Sequence, residues 1–95
     1  MFIVLLPFAA NRAQAAAHLD GHKAWLQQGF ADGVFVLAGS LKPDRGGAVL
    51  AHGIERAALE ARVAADPFVA HGVVSAEILD IAAARTDARL GFLAA

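Results

Sequence analysis

Ala65-Asp66-Pro67-Phe68 stops one helix and starts the run into a strand. Proline has no backbone N–H and disfavours helical dihedrals in the residue before it, so a helix does not pass through Asp66-Pro67. Upstream, Glu55 to Ala65 reads as that helix, with Ala58, Leu59 and Val63 turned inward. Asp66 follows Val63 by three residues and Leu59 by seven, so its carboxylate continues the inward face. Asp-Pro is also an N-cap followed by proline at N1, which opens a short turn through Val69 and Ala70. Downstream, Gly72 to Ile81 reads as a strand. Val74, Ala76 and Ile78 line one side, while Val73, Leu79 and Ile81 make the other apolar around Ser75 and Glu77.

Working back toward the N-terminus, Gly47 to His52 and Val34 to Ala38 are two further short strands. The second ends at Gly39-Ser40, and the Gly/Pro-containing loop Leu41 to Gly46 between the two predicts a hairpin. Asn11 is placed to cap an Ala-rich helix running to about Gln28, with Gly29 suited to the C′ position. Ala15, Leu19, His22 and Leu26 share one face of it, and Trp25 flanks that face. Gly21 costs about 1 kcal/mol relative to alanine in a helix and reads as a point of close backbone approach. Phe2 to Phe8 is a first strand with both faces covered, and Pro7 belongs at its end.

The order is β-α-β-β-α-β in a single domain over residues 1–95. That is the α+β, ferredoxin-like split unit, with two helices on one face of a four-stranded antiparallel sheet. The other face of the sheet is apolar and needs a second cover. At 58% hydrophobic and 18% charged residues, the chain is more apolar than a small monomer conceals easily, so a face-to-face homodimer is expected. The tail from Ala83 to Ala95 mixes Arg85, Asp87 and Arg89 with Leu90, Phe92 and Leu93, and is expected on the surface or on a partner.

A formal charge of −1 and the lack of a Lys/Arg block argue against nucleic acid and anionic membrane as partners. There is no cysteine, which removes disulfides and thiol nucleophiles. The apolar opening Met1 to Leu6 lacks the flank and cleavage site of a secretory signal, and no apolar run approaches the roughly 20 residues that span a bilayer. A cytoplasmic protein is the expectation.

His22 and Asp66 are the only constellation that looks like chemistry. Both lie on inward rows of helices packed side by side on one sheet. A histidine held by a carboxylate has a fixed tautomer and can act as general acid or base. Each has a plainer reading: His22 as a satisfied core residue and Asp66 as a cap. The two roles of Asp66 coexist if one oxygen caps and the other faces a pocket. Ser40 could supply a hydroxyl, or be an ordinary turn residue. His18 and His22 have the i, i+4 spacing of two metal ligands, but no third ligand is evident, so no metal is expected. His52 and His71 are expected to face solvent. Gly46-Gly47 is better explained by the hairpin than by phosphate binding. Lys42 and Arg45 could draw an anion to a pocket mouth, or simply be solvated.

The chain resembles the YciI-like family (YCII-related domain) over nearly its whole length. The resemblance rests on Met1-Phe2-Ile3-Val4, on His22 with Trp25-Leu26, on Gly33-Val34-Phe35 through Ala38-Gly39-Ser40, and on Ala65-Asp66-Pro67-Phe68-Val69 with Gly72-Val73. It implies a fold that dimerises as an α+β barrel, and a site centred on a His and an Asp that map to His22 and Asp66. Gly39-Ser40 would border that site. A related branch contains a dechlorinating enzyme for a chlorinated hydroxyhydroquinone, which implies lyase-type or proton-transfer chemistry on a small ring. The chain departs from the family pattern at His71 and in its Ala-rich first helix. The resulting expectation is a small enzyme that needs no cofactor. His22, charged and oriented by Asp66, moves a proton on an anionic or phenolic substrate held near Ser40 and walled by Trp25 or Phe68. The alternative is a non-catalytic, metabolite-binding or accessory dimer module.

Overall fold

A computed structural model describes residues 1–94. Its elements are β1 (Phe2–Pro7), α1 (Ala15–Ala31), β2 (Phe35–Leu41), β3 (Gly46–Ala51), α2 (Arg56–Ala64), α3 (Pro67–Ala70) and β4 (Glu77–Asp80), with 3₁₀ turns at Arg12–Gln14 and Ala88–Leu93. The strands form one four-stranded sheet in the order β2-β3-β1-β4, with every neighbouring pair antiparallel. This is the expected α+β architecture. β1 is central because its apolar run serves both faces: Phe2, Val4 and Leu6 are buried toward the helices, while Ile3 and Leu5 turn the other way.

Strand register sets three rows on the helix-facing side. They are Phe35–Ala51–Phe2, Ala38–Val49–Val4 and Ser40–Gly47–Leu6. Taken together, the β2 and β3 side chains of each row lose bulk along this series, from Phe35 with Ala51, through Ala38 with Val49, to Ser40 with Gly47. At the bulky end α1 comes down directly on the sheet. A Cβ at Gly29 would lie 2.0 Å from the Phe35 ring, so only glycine lets the helix close there. Gly29 is therefore an interior, buried residue of α1 and not the C′ residue expected from the sequence. The helix runs on to Ala31, and the chain turns at Gly33, whose φ of +72° is the left-handed one.

Other boundaries also move. Asn11 does not cap a helix with its side chain; its amide instead donates to the His71 carbonyl at 2.9 Å. β2 continues through Gly39, Ser40 and Leu41, so the hairpin turn shrinks to Lys42–Arg45. Ala58 is exposed, leaving Leu59 and Val63 as the inward pair of α2. β4 is shorter than Gly72–Ile81. Val73 and Val74 are buried ahead of it, and Val74 forms an isolated bridge to Phe8, just past the end of β1.

On the far face of the sheet, register places Ile3 beside Leu50 and Leu79, and Leu37 beside Leu50. Leu37 is 52% exposed and Leu79 40%. The tail returns to the end of β3, where the Phe92 ring meets His52 edge-on, 5.2 Å between centroids. Leu90 and Phe92 are exposed as expected of a surface tail, but Leu93 is buried and His52 half-buried, contrary to the expectation of solvent-facing positions. Ala95 lies outside the described residues.

Candidate active site

Where the sheet rows carry only small side chains, α1 overhangs the sheet and leaves a cleft of about 350 Å³. Leu19, His22 and Leu26 of α1 form its roof, and Phe68 of α3 lines it together with Leu6 and Phe8. Ala38, Ser40, Gly47 and Val49 also line it, from β2 and β3. The row Leu19–His22–Leu26 thus faces a cavity rather than packed core, which is why Leu19 remains 39% exposed.

Asp66 leaves α2 with extended ψ (123°) and caps α3, with Pro67 at the first helical position. The Pro67 ring then lies against α1 at Gly21, where a Cβ would sit 3.0 Å from Pro67 Cγ. The close approach expected at Gly21 is therefore to α3, in the turn that carries His22. It brings His22 Nδ1 within 2.8 Å of Asp66 Oδ1. The carboxylate is fully buried, while the imidazole keeps 15% of its side-chain surface.

A carboxylate only accepts hydrogen bonds, so Nδ1 is the nitrogen that carries the proton toward Asp66. Nε2 is the ring nitrogen that Asp66 does not engage. The Phe68 ring fixes the plane of the imidazole by stacking on it, centroids 4.1 Å apart and 4° from parallel. Asp66 makes both the capping contact and the contact with His22, and makes them through one oxygen. Oδ1 also accepts from the Phe68 backbone N–H at 3.0 Å, while Oδ2 is buried with no hydrogen-bond partner among the described residues.

Of the residues singled out in the sequence, His22, Ser40 and Phe68 border the cleft, and Asp66 stands behind His22. Trp25 does not line the cleft. Its indole N–H donates to the Arg62 carbonyl at 2.8 Å and its ring meets Phe35 edge-on, so it braces α1 against α2 and the sheet. Leu19 and Phe8 supply walls that sequence reasoning missed. Leu19 could have been found from its place on the His22 row; Phe8, one residue past the strand-ending proline, carried no such signal. Lys42 and Arg45 lie in the hairpin turn and do not line the cleft. The Arg12 guanidinium is paired with Asp44 and lies 3.9 Å over the Phe8 ring. His18, four residues from His22, stacks on His71 at 3.9 Å instead of sharing a ligand with it.

The model of the YCII-related domain matches residues 1–82, a span that contains the sheet, all three α-helices and the His22–Asp66 pair. The chain belongs to the YCII family. Among solved structures, this YCII chain is similar to 5-chloro-2-hydroxyhydroquinone dehydrochlorinase (TftG) from Burkholderia phenoliruptrix AC1100, in complex with 2,5-dihydroxybenzoquinone. The TM-score is 0.69 at 14% identity, over 85% of this chain and 93% of that one. The two proteins therefore share the ferredoxin-like fold from which dimeric α+β barrels are built. No curated protein matches the YCII chain. None of its described helices is long and apolar enough to cross a membrane.

Proposed function

We propose that this YCII chain is a small-molecule enzyme in which His22 moves a proton on a single, phenolic ring bound in the cleft. The observation that carries the reading is the 2.8 Å contact between a half-buried imidazole and a fully buried carboxylate at the wall of an apolar cleft. A cavity of about 350 Å³ is at the small end of ligand sites and suits one ring. Among its lining residues, His22 and Ser40 bring the only polar side chains, and no lysine or arginine is present to balance a carboxylate or phosphate. A neutral ring with hydroxyl groups fits that lining better than an anion does.

In the proposed step, Nε2 of neutral His22 takes the proton of a ring hydroxyl, and the O–H electron pair stays on the ring oxygen. Asp66 stabilises the imidazolium that forms. The imidazolium returns its proton to a ring carbon, giving the keto tautomer, an isomerase-like outcome. Where that carbon carries an anionic leaving group, neutral His22 then takes a second hydroxyl proton. The O–H electron pair is pushed into the ring as a new C=O forms, and the leaving group departs with its bonding pair, a lyase-type outcome. Ser40 holds a second ring oxygen. The similar fold of a dehydrochlorinase crystallised with a dihydroxybenzoquinone is consistent with this substrate class. The apolar far face of the sheet around Leu37, Leu50 and Leu79 supports a homodimer formed by a second copy.

The test is turnover of hydroxylated and halogenated aromatics by the pure protein. General-base removal costs about 10²–10⁴-fold in rate, so His22→Ala should abolish detectable turnover. Undiminished turnover in that variant would remove His22 from the mechanism. A binding module without turnover is the second reading. It draws on the bond from Phe68 N–H to Asp66, which gives the carboxylate a structural use. Saturable binding of phenols with no product from any of them would favour it.

A further inference from the structure

We infer that Gly47 is the specificity-determining residue of the cleft: its missing side chain provides the flat floor on which a ring lies beneath His22. This rests on the ring-binding reading of the cleft given above. Gly46 and Gly47 are adjacent but stand for different reasons. Gly46 has φ +122°, and a Cβ there would lie 2.2 Å from the Leu6 carbonyl oxygen, so the backbone itself requires glycine. Gly47 has no positive φ. A Cβ on it would meet the Gly39 backbone carbonyl oxygen at 3.3 Å, a tight contact that requires β2 to give by a few tenths of an ångström, against 2.2 Å at Gly46.

Gly47 is nonetheless an interior position of β3, paired with Leu6 on one side and Ser40 on the other. By alternation its side chain would stand on the same face as Val49 and Ala51, both buried against the helices. Such a position ordinarily carries an apolar side chain, and a glycine inside a strand weakens it. A strand glycine admits close approach of another backbone or of a ligand; the Gly39 carbonyl touches the edge of this position, and the cleft lies over its face. Gly47 lines the cleft, as do its row neighbours Leu6 and Ser40 and the overhanging His22. A ring on Gly47 would therefore rest on peptide backbone, with Leu6 at one edge, the Ser40 hydroxyl at the other and imidazole Nε2 above. A methyl group at Gly47 would occupy the space of the ring itself.

The experiment is NMR titration of the His22 ring signals with phenol and with hydroquinone, in the wild type and in Gly47→Ala and Gly47→Val. The expected result is saturable binding by the wild type, at least a tenfold weaker Kd for both probes in Gly47→Ala, and none in Gly47→Val. Melting temperatures and the His22 tautomer signature should stay close to wild type. A Gly47→Ala protein that binds both probes with wild-type Kd overturns the assignment of Gly47 and leaves the role of His22 standing. A wild type that responds to neither probe refutes the ring-binding reading, and the floor with it. If the variants prove too unstable to titrate, a wild-type complex with phenol decides. Ring carbons in van der Waals contact with Gly47 Cα support the inference, and a ring seated elsewhere overturns it.

Discussion

Replacing Asp66 with Asn separates the charge of the site from its geometry. Oδ1 accepts from His22 Nδ1 at 2.8 Å and from Phe68 N at 3.0 Å, and the residue is fully buried. Asp66→Ala removes both bonds. Loss of an N-cap costs about 1 kcal/mol, and loss of a bond to a charged group about 2 kcal/mol. The sum of roughly 3 kcal/mol is a melting-temperature drop of about 12–24 °C for a domain of this size. Asparagine caps about as well as aspartate, and its amide oxygen can keep both contacts. Only the charge-assisted part of the histidine bond is lost, about 1 kcal/mol.

The decisive measurement is a double-mutant cycle with His22→Ala, by urea unfolding followed through Trp25, the single tryptophan. With His22 absent, the charge on Asp66 has only the cap to serve, and Asp66→Asn should then cost almost nothing. The expected coupling is therefore about 1 kcal/mol. A coupling within the roughly 0.3–0.5 kcal/mol of simple additivity would show that the carboxylate is a cap whose nearness to His22 is incidental. ¹⁵N shifts provide a second readout. Neutral His22 should carry its proton on Nδ1 in the wild type.

Gly29→Ala should destabilise the protein although alanine is the better helix former: the gain of about 1 kcal/mol is outweighed by overpacking of about 3 kcal/mol against the buried Phe35 ring, 2.0 Å from the new Cβ. A net loss near 2 kcal/mol in urea unfolding is expected, and Phe35→Leu should restore part of it. Hydrogen bonds from Gln28 and then Arg62 hold Asp32 below its ordinary value of 3.8. A carboxyl depressed in the folded state stabilises above its unfolded value and loses that contribution as the pH falls through the folded one. Wild type should therefore lose more stability than Asp32→Asn on acidification below about pH 4, and parallel acid profiles would contradict this. Leu50→Glu, at the centre of the apolar outer face, should convert a dimer to a monomer by light scattering at micromolar concentration, and a wild type already monomeric there removes the dimer reading.

The parts of this fold that were legible in the sequence are those fixed by local chemistry. Apolar runs bounded by Gly and Pro located β1 to β3, and Asp66-Pro67 located α3 because capping and the fixed φ of proline act within a few residues. Counting along helical faces set His22 and Asp66 toward each other, since each count needs only the helical period. What was not legible depends on partners distant in the chain. Gly29 has the same sequence signature whether it ends a helix or admits a ring from β2, and only the Phe35 contact distinguishes the two. Trp25 resembled a pocket wall because it adjoins the His22 row. The carbonyl that takes up its N–H belongs to Arg62, 37 residues away. The cleft itself was invisible, because it arises from the alignment of Ala38, Ser40 and Gly47 across two strands.

The placement of Asp66 also bears on the proposed use of His22 as a base. The residue follows the C-terminal end of α2, where the helix dipole opposes an anion by about 0.3–1 kcal/mol. The four-residue α3 that it caps has too few aligned peptides to offset this fully. Its second oxygen is buried without a partner among the described residues. A buried carboxylate so placed is under-compensated, and an adjoining positive charge is what compensates it. In the proposed step His22 takes a proton at Nε2, which puts that positive charge 2.8 Å from the carboxylate; among the described residues no lysine or arginine pairs with Asp66. The cap at Phe68 N–H holds Oδ1 in place during the change, so little reorganisation is required. The capping bond that makes Asp66 look structural is thus what preorganises it for His22. It follows that Asp66→Asn should depress turnover far more than it depresses stability. Equal effects on both would show that the cap, and not the charge, is what the site needs.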